Sequence, residues 1–294
     1  MTVGIWELAS VAGKWLGLLA TAGVVGGSFG VALARSQRFS EQPELRRYLR
    51  LSAVLGLLVV PVYFLLQVGA VNQSGVAGMF DPLMGRILLQ SGLGQVLGVR
   101  MLAFALVALW LLCPVQVATS YRRQAERIVC ASATLLLAGS FVLTGHISTL
   151  TLVARGVLAL HVLMVFLWIG ALYPLLQLSR TRDIQQVQTL MQRFGVLALG
   201  IVALLLVSGM WLATQVLQAP TDLATTAYGR TLLLKLVGVS GLLLLAAGNK
   251  LVLVPKLATT GSAATLQTYI RIEIGVALLV LAVTSWLTTI TGPA

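Results

Sequence analysis

The 294-residue sequence predicts an all-α, polytopic integral membrane protein with eight transmembrane helices and both termini outside (N-out, C-out). Three observations predict it. Hydrophobic residues make up 58% of the chain and charged residues 10%, whereas a soluble domain carries roughly a quarter charged residues. Mean hydropathy is +0.96, and apolar runs of about 20 residues, the length that crosses a bilayer, recur along the chain. Basic residues gather in alternate loops, as the positive-inside rule requires of a multi-pass protein.

The spans follow in order. Span one covers about Glu7 to Ala34 and is rich in glycine, which favours close helix contact. Lys14 lies within it and either snorkels or serves a polar role. The first loop runs from Arg35 to Arg50 and carries five arginines. Span two covers about Leu51 to Val71, with Pro61 predicting a kink. An outer segment follows, in which Asp81-Pro82 suits the start of a short helix. Span three, about Gly92 to Cys113, contains Arg100.

Span four is about Ile128 to His146 and span five about Ala154 to Leu178. Span six is about Phe194 to Leu217, and Pro220-Thr-Asp222 suits a surface turn after it. Span seven covers about Thr231 to Val254, with Lys235 one turn inside. Span eight is about Tyr269 to Thr291, with Glu273 near its start, where the helix dipole stabilises a carboxylate. The four inner loops and their flanks then hold fourteen of the twenty basic residues. No loop is long enough for a soluble catalytic domain, so residues 1–294 form one transmembrane helical domain.

The net charge of +12 is explained by this loop bias, not by nucleic acid. No basic tail or aromatic-basic RNA module occurs. Cys113 and Cys130 form no disulfide framework. The opening MTVGIWELASVAGKW lacks a basic n-region, so span one is expected to stay in the membrane. No nucleophile triad, acid–base pair, phosphate loop or dinucleotide motif appears, and the chain does not read as an enzyme.

The chemistry concentrates in Gly145 to Gly170, which holds both histidines, His146 and His161. Met164 lies three residues after His161 and shares its helix face. Two imidazoles and a thioether suit a soft ion in low coordination, copper(I) above all. The same residues fit blander roles: a lone histidine can bridge helices, and a single methionine usually packs. A haem protein with axial imidazoles is the alternative class, recognisable by a Soret band. Met79, Met84 and Met210 are weaker nominees. Cys113 and Cys130, at the inner ends of their spans, read as buried cysteines that are able to receive a soft cation.

Several blocks together carry a resemblance. They are Ser140-Phe-Val-Leu-Thr-Gly-His146, Leu160-His161 with Leu167-Trp168-Ile-Gly170, and Arg193-Phe194. They continue with Thr226-Ala-Tyr-Gly-Arg-Thr-Leu-Leu-Leu-Lys235, Asn249-Lys250 with Pro255, Arg271-Ile-Glu273, and the earlier Gly92-Leu-Gly-Gln-Val-Leu-Gly-Val-Arg100. With them the sequence resembles the copper resistance protein D family of bacterial inner-membrane proteins over nearly its whole length. The resemblance implies an eight-helix copper protein associated with uptake from periplasm to cytoplasm. It also implies a small periplasmic copper-binding partner of the CopC type; a structural or copper-sensing partner role for this chain without transport is a further alternative reading. The family's histidine positions fall on His146 and His161. Two departures are Lys250, where arginine is commoner, and Ala171, where a second glycine is commoner.

Overall fold

The computed structural model describes residues 4–39, 43–112, 120–144 and 151–291. Eleven helical segments occur among them: α1 (Ile5–Ser36), α2 (Pro43–Asn72), α3 (Pro82–Leu89), α4 (Gly92–Leu112), α5 (Ser120–Gly139), α6 (Leu152–Leu178), α7 (Ile184–Val216), α8 (Asp222–Thr225), α9 (Ala227–Gly248), α10 (Val254–Thr260) and α11 (Ala264–Thr289). The described residues contain no strand. Eight spans are long and apolar enough to cross a membrane, with α9, a π-turn and α10 together making the seventh.

Helix starts follow local chemistry. Asp81 accepts the Met84 amide at 2.7 Å and Pro82 fills the first helical position, so the predicted short helix forms. Asp183 caps α7 through the Gln186 amide at 3.0 Å, and Thr226 caps α9 through the Gly229 amide at 2.9 Å. Asp222 accepts the amides of Gln218 and Ala219, closing the predicted surface turn.

Several helices extend beyond the predicted spans. The arginine-rich stretch expected as a loop through Arg50 is helical from Pro43, and Leu45 and Leu49 on its first turns are buried. Helix α7 likewise starts at Ile184, ten residues before the predicted span, burying Val187, Leu190, Met191 and Phe194 at helical spacing. Hydropathy marks where the chain meets lipid, not where the helix ends. A correction concerns Glu273. Helix α11 begins at Ala264, so Glu273 lies beyond the first turn, where the dipole no longer acts appreciably. It sits instead on the buried stripe Leu266, Ile270, Glu273, Ala277 and accepts the Asn249 side-chain amide at 2.9 Å.

Asn249–Leu253 form a π-turn that the sequence reading did not anticipate. Pro255 explains it: the missing amide and the ring cannot continue an α-helical ladder, and a widened turn absorbs the mismatch. Helices α2 and α6 run through Pro61 and Pro174.

Helix α1 is the hub, packing on α2, α6 and α11. Gly26 and Gly170 bring the backbones of α1 and α6 into direct contact, and Gly30 lies against Pro174. Small residues are what permit such closeness. The ends of the bundle are tied separately. At the end holding the termini, Ser285 donates to the Val11 carbonyl at 2.7 Å and Gln67 to Ser10 at 2.9 Å. At the opposite, basic end, Arg35 bonds buried Glu126 at 2.8 Å, with Arg46 at 3.8 Å, and Gln267 donates to the Ser179 carbonyl.

Candidate metal centre

His161 lies in the third turn of α6, which Thr151 caps through the Ala154 amide at 3.3 Å. Nine residues separate it from Leu152, about 13 Å of helical rise, so the ring lies well below the terminal end of the bundle. The side chain is half-buried and turns toward α7. Its Nδ1 is 3.2 Å from the Leu205 carbonyl oxygen and 3.1 Å from Ser208 Oγ. Ser208 in turn donates back to the Leu204 and Leu205 carbonyls at 2.6 and 3.1 Å.

These contacts assign the tautomer. A carbonyl only accepts, and the serine proton is directed to carbonyls of its own helix. Nδ1 therefore carries the ring proton and donates it toward α7. The lone pair is left on Nε2, which bonds none of the described residues. A metal-ligating imidazole is oriented in the same way, through one nitrogen, and so is a histidine that only bridges two helices. Gly209 completes the cradle: a Cβ there would stand 2.9 Å from His161 Cε1, so the absence of a side chain lets the ring lie against α7.

Met164 is one turn farther along α6 and is buried at 8% exposure, in the same apolar cluster as Leu205 and Ile201. That environment accounts for it as packing and leaves a soft sulfur one turn from the ring. His146 and Cys113 lie outside the described residues, so the convergence of the two imidazoles and any meeting of Cys113 with Cys130 lie there too. Cys130 is a free, partly buried thiol. Met79 packs beside Trp6 over Gly69 on α2, while Met210 is exposed. Among the described residues no three His, Cys, Asp or Glu side chains group together. Lys235 on α9 lies within electrostatic range of the His161 ring, and a charge there opposes a bound cation.

The sequence reading missed Ser208 and Gly209. A Ser-Gly pair inside an apolar span was their one local signal, and packing explains such pairs equally well.

Residues 5–151 match the family described as copper resistance protein D-like, N-terminal domain, and residues 188–287 match copper resistance protein D. The chain belongs to the copper resistance protein D family. It is thus a multi-pass inner-membrane protein related to copper resistance, in a family of transport and binding proteins and not of enzymes. No curated protein and no solved structure matches it.

Proposed function

We propose that this member of the copper resistance protein D family carries copper from periplasm to cytoplasm, with both termini on the periplasmic side. The ion is copper(I), taken up by His146 and His161, with Met164 as a third, softer ligand. A periplasmic carrier of the CopC type is the natural donor. The observation that carries this reading is the orientation of His161: Nδ1 is occupied by α7, and Nε2 is left to bind. The topology rests on the count of basic residues, fourteen of twenty in the four loops read as inner and their flanks.

Radioactive copper(I) entry into proteoliposomes tests the reading. Wild type admits copper, and the paired His146→Ala, His161→Ala variant loses at least about tenfold of the initial rate. Equal entry in both proteins overturns the site. Copper bound to wild type without entry leaves a binding partner in place of a permease.

A further inference from the structure

A second polar site lies between α1, α2 and α4, apart from His161. A cavity there is lined by Lys14, Tyr63 and Arg100 together with Gly13, Gly17 and apolar side chains. Lys14 lies nine residues past Ile5 and Arg100 eight past Gly92, so each is about 12 to 13 Å of helical rise inside its span. Two cations at that depth in a hydrocarbon layer about 30 Å thick need compensation.

The described residues supply only part of it. Lys14 Nζ donates one proton to the Thr288 carbonyl at 3.0 Å, near the end of α11. Arg100 donates through Nε to Ser140 Oγ at 2.8 Å and lays its guanidinium 4.4 Å from the Phe141 ring centre. Its two terminal nitrogens find no acceptor among the described residues. No acidic side chain among the described residues lines the cavity. Carbonyl dipoles and an aromatic face soften a charge but do not neutralise two.

We propose that this cavity binds a small monovalent inorganic anion of chloride size. Lys14 Nζ, the terminal nitrogens of Arg100 and the Tyr63 hydroxyl are its donors. The space open to a water-sized occupant is about 20 Å³, enough for a small ion or one or two waters. Gly17 keeps the space open, since no heavy atom lies within 4 Å of where its Cβ would stand. A bound anion joins α1, α2 and α4, and through Lys14 also α11, at the end of the bundle that holds the termini.

The test is thermal unfolding of the purified full-length protein in chloride, bromide or gluconate salts at equal ionic strength. Chloride and bromide should raise the midpoint by about 3 °C over gluconate. Lys14→Met and Arg100→Gln should abolish that difference. Gly17→Val should abolish it too, by filling the cavity while leaving both charges in place. Equal midpoints in all three salts overturn the proposal, as does a halide effect that survives in Lys14→Met and Gly17→Val. A rise produced by phosphatidylglycerol and not by halide also overturns it, in favour of a lipid phosphate. Should the charge variants fail to fold, Gly17→Val and a bromide anomalous peak between Lys14 and Arg100 decide.

Discussion

Helices α1 and α9 are both long, apolar and glycine-containing, yet they occupy opposite extremes of the bundle. Within the most apolar window of each span, 72% of residues are buried for α1 and 6% for the span containing α9. Helix α1 packs on four long helices, α2, α6, α11 and α5, whereas α9 packs mainly on α11 and reaches α7 through the π-turn and α10 at its basic end. Hydropathy does not separate the two, at 1.8 and 2.0. One difference is that α1 meets another long helix backbone to backbone, whereas Gly238 on α9 faces only the Val280 side chain of α11. Gly26 on α1 touches the backbone of Gly170, while a Cβ at Gly241 on α9 would meet nothing within 4 Å. A membrane interior gives helices no hydrophobic reason to associate, so close packing of small residues decides which helix becomes the hub. His161 sits on α6, the helix that joins this compact half to α7.

The contrast is broken most severely at the α1–α6 contact. Gly26→Leu should destabilise the fold by about 3 kcal/mol or more, because the opposing atoms are backbone and cannot yield. Thermal unfolding in detergent checks it, and a near-wild-type midpoint removes α1 from its role as hub.

Next comes the cradle on α7. Gly209→Ala should push the His161 ring off α7, and Ser208→Ala should remove one acceptor for Nδ1. Each is expected to lower copper affinity roughly tenfold with the fold retained. Gly200→Ala on the same helix meets open space and serves as the control. Copper titration of the three variants checks this, and equal affinities would detach the cradle from copper.

A smaller effect is expected at the basic end. Glu126→Gln removes the carboxylate that Arg35 and Arg46 share. Both arginines retain access to solvent, so the loss should be about 1–2 kcal/mol, well below the value for a fully buried pair. Chemical unfolding measures it. The smallest change is Gly241→Ala, expected within about 0.5 kcal/mol of wild type. A large loss there would mean that α9 is as tightly held as α1.

Much of this was legible in the residues and some was not. Apolar length located all eight spans, and Asp81-Pro82 announced the short helix that forms. Helix ends were misplaced wherever a buried stripe continued beyond the apolar run, as at Leu45 and Leu49 or Val187 to Phe194. Glu273 was misassigned for the same reason: an N-terminal location was inferred from where the apolar run starts, and α11 starts earlier. His161 stood out because only two histidines exist among 294 residues. Its partners did not stand out, because a backbone carbonyl carries no sequence label and Ser208-Gly209 is ordinary in a membrane helix.

The sequence by itself determined the solvent of this protein, the helices long and apolar enough to cross it and the residue types able to take a soft ion. Those follow from local hydropathy, charge and side-chain chemistry, which do not depend on neighbours. Only the tertiary structure decided that α1 is the hub, that His161 bonds α7 through Nδ1, and that Lys14 and Arg100 share a cavity with no carboxylate from the described residues. Each of these depends on which helix lies beside which, and that choice is made by contacts between residues far apart along the chain.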